Sequence, residues 1–152
     1  MNAPELRFAF EIEASVAVPL DLGQTQAGHR RIVPIAGGSV SGPRLQGRIL
    51  PVGADWQILR PGGTADLDAR YTIQTEDAAL IYVVNRGVRH GPPEVLAALN
   101  RGERVDPAAY YFRSSASFET SAPEHAWLTR AVLVGVGERY PDKVVIRFWE
   151  LL

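Results

Sequence analysis

The chain has 152 residues, the length of one domain, enough to bury roughly two-thirds of the surface that its unfolded form would expose. A formal net charge of −1 at pH 7 argues against nucleic acid as the main partner, since phosphate binding needs a basic surplus on one face. There is no cysteine, so a disulfide framework, a thiolate metal site and a thiol nucleophile are all excluded.

All but one of the 16 basic residues are arginine, Lys143 being the exception, which suits planar carboxylate contacts better than a diffuse cationic field. Residues Met1 to Glu5 lack a basic region leading into an apolar run, so no signal peptide is expected. No stretch approaches the roughly 20 apolar residues of a membrane-spanning helix. The expectation is a soluble, cytoplasmic single domain over 1–152 with no membrane partner.

The chain opens on a long alternation. Leu6, Phe8, Phe10, Ile12, Ala14, Val16 and Val18 fall on one face, with Arg7, Glu11, Glu13 and Ser15 on the other. A short strand over Arg31–Ile35 follows, then the turns Gly37-Gly38 and Gly42-Pro43, then Leu45–Val52 and Asp55–Leu59, which runs into Arg60-Pro61-Gly62-Gly63. Leu67–Thr75 alternates cleanly, and Leu80–Val84, Tyr110–Thr120, Arg130–Val136 and Val144–Leu151 bring the count to about nine. Two helical pieces interrupt the strands. Residues 92–100 begin with two prolines, carry Glu94 in the first turn and stop before Gly102, a short helix that would lie across one barrel end. Ser121 and Glu124 have the spacing of a capping box, opening a turn that carries His125 and Trp127. Many short strands, one polar face and frequent Gly and Pro predict an all-β fold: a closed antiparallel barrel of about eight strands, lipocalin-like or similar.

Nucleotide-binding signatures are absent: no Gly-x-Gly-x-x-Gly turn follows a strand, and there is no P-loop, so no cofactor is expected. His29, His90 and His125 lack the close spacing of paired zinc ligands, so no metal is expected either. No Gly-x-Ser-x-Gly elbow supports a serine triad. His29-Arg30-Arg31 reads as a solvated strand end that can also attract an anion.

Several polar side chains sit inside predicted strands. Asp55 and Glu119 are the candidate proton-transfer groups, and Trp56, Arg70, Tyr82, Tyr111 and Arg113 the candidate substrate-binding groups. Turned inward, the arginines and carboxylates would have to pair, because an isolated buried ion costs several kcal/mol. A free guanidinium fork could then take a ligand carboxylate or enolate, a dry carboxyl with a raised pKa could move a proton, and a tyrosine could donate to an oxyanion. The same residues could equally fill a small barrel or face water.

Taken in order, the segments Pro34–Gly38, Gly42–Gly47, Gly53–Gln57, Ala69–Thr72, Ala79–Tyr82, Asn85–Gly87, Tyr111–Arg113, Phe118–Thr120 and Trp127-Leu128 resemble the small bacterial and fungal family called domain of unknown function thirty-two thirty-seven. The resemblance covers nearly the whole chain and implies a β-barrel with a central cavity. One departure is Asp77-Ala78, where Asp-Gly is expected at the hairpin, which puts the strand register there in question.

Three functions compete. The first is a small-molecule-binding barrel acting as a cofactor-independent acid–base enzyme (lyase, isomerase or hydrolase) on a small organic or aromatic acid. The second is a non-catalytic, lipocalin-like carrier of an apolar ligand. The third is a structural barrel forming homo-oligomers through an exposed edge or the Val144–Trp149 segment.

Overall fold

Alternating burial is the signature of every long strand in the computed structural model, which describes residues 2–152. In β5 (Ala65–Thr75), Ala65, Leu67, Tyr71, Ile73 and Thr75 are buried while the residues between them reach solvent. The other strands are β1 (Leu6–Val16), β2 (Leu20–Thr25), β3 (Gly28–Ser41), β4 (Gly47–Leu59), β6 (Leu80–His90), β7 (Tyr111–Glu119), β8 (Leu133–Arg139) and β9 (Lys143–Leu151). They form one antiparallel sheet in the order β1-β9-β8-β7-β6-β5-β4-β3-β2. A further pairing of β1 with β3 closes eight strands into a barrel and leaves β2 as an extra strand on β3.

Both ends are covered. Helix α1 (Pro93–Asn100) has Pro92 at its N-cap and turns Leu96 and Leu99 into the core, with Leu96 against Gly63 of the β4–β5 loop. A 3-10 segment at Pro123–Thr129 covers the other end through the buried Leu128. The expected capping box does not form there. Ala122 is the N-cap, and the Ala122 N–H donates instead to Thr120 Oγ1 at 3.1 Å.

β-Bulges account for the main differences from the sequence reading. Gly37-Gly38 is not a turn but an irregularity inside the 14-residue β3, where the register against β4 shifts between Pro34 and Gly38. A Cβ on Gly38 would run into the Glu13 carbonyl of β1, so only glycine allows the β1–β3 contact that closes the barrel. The two strands expected over Leu45–Leu59 are one strand, β4, with a bulge between Ile49 and Gly53. Strand β2 was not anticipated, because its alternation is short and lies wholly on the surface.

In β1 a shift between Phe8 and Phe10 turns Leu6 and Phe8 outward, Phe8 edge-on to Trp149 at 5.8 Å, while Ala9 and Phe10 are buried. Val18, expected on the apolar face, lies beyond the strand and is exposed. The Val144–Trp149 segment is no free edge, since β9 is paired on both sides, with β1 and β8.

At Asp77-Ala78 the register holds, with ten regular β5–β6 pairs from Ala65↔Arg89 to Gln74↔Leu80. The loop is a tight turn closed by Ala78 N–H to the Thr75 carbonyl at 3.0 Å, followed by Ala78 in the left-handed region at φ +64°. An alanine pays strain there that glycine avoids. Ala78→Gly is therefore expected to stabilise the protein by about 0.5–1 kcal/mol, read as a higher denaturation midpoint with an unchanged m-value.

Candidate functional site

The barrel interior has two chemistries. Toward the 3-10 cap the inward positions are apolar, with Phe10 packed 5.1 Å from Phe148 and 6.1 Å from Phe118. Toward α1 the same inward phase turns polar: Arg31 of β3, Asp55 and Gln57 of β4, Asn85 and Arg89 of β6, Ser114 of β7, and Arg139 at the end of β8.

All of them but Arg31, which bonds Gln57, line a small cavity of about 50 Å³ that opens at a mouth. The space exists because much of the wall is small or flat. Ala69 takes an inward position on β5, and Gly137 lets the Phe112 ring lie against β8 where a Cβ would collide with it. Apart from Tyr71 the rest of the wall is aliphatic, including Ile12, Ile35, Leu67 and Ile146.

Two guanidinium groups, of Arg89 and Arg139, line this cavity with one carboxylate, and a third, of Arg31, is joined to it through Gln57. Arg31 donates from Nε and Nη2 to Gln57 Oε1 at 3.0 and 2.9 Å. Gln57 Nε2 donates in turn to Asp55 Oδ2 at 2.7 Å, and the Asp68 N–H to Asp55 Oδ1 at 2.9 Å. Arg139 donates from Nη1 to the carbonyls of Tyr140 and Lys143, while its own N–H reaches Tyr110 Oη at 2.7 Å. Arg89 is different. It is buried beside Phe112, its guanidinium carbon 5.8 Å from the ring centroid, and its Nε finds no partner.

The electrostatics follow from this crowding. Burial pushes the Arg89 pKa down to about 10, helped by the like charges of Arg31 and Arg139, and it stays protonated at neutral pH. Burial also lowers Arg31 and Arg139. Burial raises the Asp55 carboxyl, against the hydrogen bonds from Gln57 and the Asp68 backbone and the attraction of Arg89 and Arg31. Burial raises the Tyr71 hydroxyl, which therefore keeps its proton as a donor. The cavity is thus a positively charged recess holding one carboxyl group fit to carry a proton.

Of the seven residues singled out from the sequence, the structure brings one to this cavity, Asp55. The other six stand on the outer wall, for a single reason of strand phase. Asp55 and Gln57 point in, so Trp56 points out; buried Tyr71 puts Arg70 outside; buried Ile81 and Val83 put Tyr82 outside. Buried Phe112 and Phe118 do the same for Tyr111, Arg113 and Glu119. On that wall Arg70 pairs with Asp68 at 3.3 Å, Arg113 lies 5.0 Å over the Tyr111 ring, and Tyr82 stands opposite Glu119.

Sequence reasoning missed Asn85, Arg89, Ser114 and Arg139 as site residues, and read Arg31 within His29-Arg30-Arg31 chiefly as a solvated strand end, whereas it is buried. The usable signal was a polar residue interrupting an otherwise apolar phase, as Asn85 and Arg89 do after Ile81 and Val83. Ending the sixth strand at Val84 hid it, since β6 runs on to His90.

Outside the cavity, Asp77, Glu124 and His125 bring ligand-type atoms within 4.8 Å of one another at the surface. Asp77 already accepts from Thr75 and lies 3.4 Å from His125 Nε2.

A family model described as "Protein of unknown function (DUF3237)" matches residues 4–151. The chain belongs to the DUF3237 family. It is similar to a UPF0311 protein of Rhodopseudomonas palustris, 43% identical over 148 residues that span 97% of each chain. A crystal structure of a conserved protein of unknown function from the same organism superposes with a TM-score of 0.95 at 42% identity, covering 100% of this chain and 99% of that one. An enzyme from Penicillium herquei shares the fold at a TM-score of 0.74 and 21% identity, covering 100% and 97%. The DUF3237 barrel expected from the ordered sequence segments is thus the observed one, cavity included. No helix among the described residues is long and apolar enough to cross a membrane.

Proposed function

We propose that this barrel binds a small organic anion, its acid group held by Arg89 between Arg31 and Arg139 and its carbon skeleton against the aliphatic wall. The observation that carries this reading is the charge imbalance: three buried guanidinium groups accompany one carboxylate, and the Nε of the most buried one has no hydrogen-bond partner. Asp55 is the one counter-charge for three buried cations, and an incoming carboxylate or enolate adds a second with charge-assisted, bidentate hydrogen bonds. Asp55, held by Gln57 and the Asp68 backbone, is the one carboxyl group in the cavity and the proton-transfer group of an acid–base step on the bound anion. The amphipathic lining favours this over an apolar carrier, whose cavity would have no use for Arg89.

The test is a thermal-shift screen of small carboxylic acids and enolisable oxo-acids, with chloride at matched ionic strength as reference. A ligand at one hundred times its dissociation constant stabilises by about 2.7 kcal/mol, so a hit raises the melting temperature by several degrees. Arg113→Ala, on the outer wall, should respond like wild type. A screen in which no acid moves the melting temperature overturns the reading.

A further inference from the structure

Three more buried polar atoms on the cavity wall lack hydrogen-bond partners: Tyr71 Oη, Asn85 Oδ1 and Ser114 Oγ. Buried polar groups are nearly always paired, so three together on one wall call for a reason. Register sets Asn85 between the other two, Tyr71 two positions toward the 3-10 end on β5 and Ser114 two positions toward α1 on β7. Asn85 stands opposite Ala69 of β5 and Ala116 of β7, and Tyr71 is its diagonal neighbour two positions along β5. Ser114 stands opposite Gly87 on one side and Gly135 on the other. The residues directly opposite Asn85 and Ser114 are therefore all alanine or glycine, and Tyr71 stands between Gly53 and Val83, so small neighbours leave these polar groups uncovered where bulky apolar side chains would have filled the space.

This cluster carries no charge, unlike the arginine end. Asn85 and Arg89 lie four residues apart on β6, about 13 Å of strand. The two ends of the cavity thus offer different chemistry to one molecule.

We infer that the Tyr71, Asn85 and Ser114 group is a second subsite that receives a hydroxyl, and that the bound anion is a hydroxy acid with its hydroxyl several bonds from the acid group. This rests on the anion reading above. The hydrogen-bond inventory selects the hydroxyl. Asn85 Oδ1 needs a donor, while the Tyr71 and Ser114 hydroxyls each have a proton to give, and a ligand hydroxyl answers both. A carbonyl would leave Asn85 Oδ1 unpaired. An ammonium would give the two hydroxyl protons no acceptor and would be repelled by three guanidinium groups.

The experiment is calorimetric titration of wild-type protein with matched probes: benzoate, para-hydroxybenzoate and para-formylbenzoate, and then hexanoate with its ω-hydroxy derivative. In at least one pair the hydroxylated acid should bind tenfold or more tightly than its parent, and para-formylbenzoate should behave as benzoate does. In the double variant Tyr71→Phe/Ser114→Ala, and separately in Asn85→Leu, the hydroxyl preference should collapse toward unity with affinity for the parent acid retained. Equal binding of hydroxylated and parent acids by wild type overturns the hydroxyl subsite while leaving the anion site standing. Equal binding of the formyl and hydroxyl probes overturns the need for a donor. Failure of every probe to bind overturns the anion reading and this inference with it.

Discussion

Arg89→Met is expected to raise the melting temperature of the ligand-free protein and to abolish its affinity for organic anions. Arg89 is a buried cation whose Nε has no partner and whose neighbours include two more arginines. Leaving a buried polar group unpaired costs about 1–3 kcal/mol, more when it is charged. Methionine keeps much of the volume and flexibility of the arginine stem and removes that cost. For a chain of this size 1 kcal/mol shifts the melting temperature by about 2–4 °C, so a gain of about 3–10 °C is expected by scanning calorimetry. The same change deletes the fork that the acid group would engage, and binding of any carboxylate that stabilises wild type should fall at least a hundredfold, about 2.7 kcal/mol. Stability lost with anion affinity intact would show instead that Arg89 is a structural filling. Opposite signs on stability and binding are the mark of a residue kept for function.

Asp55→Asn should tighten anion binding and remove its pH dependence. The Asp55 carboxyl lines the cavity, and burial raises its pKa above the ordinary value. A bound carboxylate about 6 Å from an ionised Asp55 meets a repulsion of about 3 kcal/mol at an effective dielectric constant near 20. The anion therefore prefers protonated Asp55, and binding takes up a proton. Wild-type affinity should be greatest below the Asp55 pKa, weaken by one to two orders of magnitude as pH rises through it, and then level off. Asparagine still accepts from the Asp68 N–H, and its side chain is neutral at every pH, so the variant should hold the low-pH affinity throughout. Titrations in buffers of different ionisation enthalpy read the proton directly. A wild-type affinity independent of pH between 4 and 8 would remove Asp55 from any proton-transfer role.

The two variants separate the possible uses of the barrel. An anion carrier loses its ligand in Arg89→Met and keeps it in Asp55→Asn, whereas an acid–base enzyme loses turnover in both. The carboxylate is also the only acid among the cavity residues, so no second carboxyl group can substitute for it.

The outer-wall residues show how much of the site could be read in advance. Tyr111 and Arg113 were rightly placed on one face, since the strand period is two, but nothing local says which face is inside. Phe112, Ala116 and Phe118 decide it, and they put that face in solvent. The same reasoning goes astray in β1, where the bulge at Phe8/Phe10 exchanges the faces within one strand. Asp55 was legible because a carboxylate next to Trp56 is unusual inside a strand. Arg31 and Arg139 were not, because each sits near a strand end, where arginine ordinarily reaches water.

The class and the parts are local: alternation made strands, the prolines at 92 and 93 started a helix, and glycine-rich stretches marked where the chain bends or bulges. The ordered segments likewise carried the resemblance to the family. That Gly38 lets β1 and β3 meet, which closes the sheet, is visible only once the strands are assembled. Closure then carried Asp55, Arg89 and Arg139 from three separate strands into one cavity, with Arg31 of a fourth joined to it through Gln57. The physical reason is range. Strand periodicity is a property of neighbouring residues, while the field inside the barrel is a sum over side chains that are neighbours only after the sheet has closed on itself.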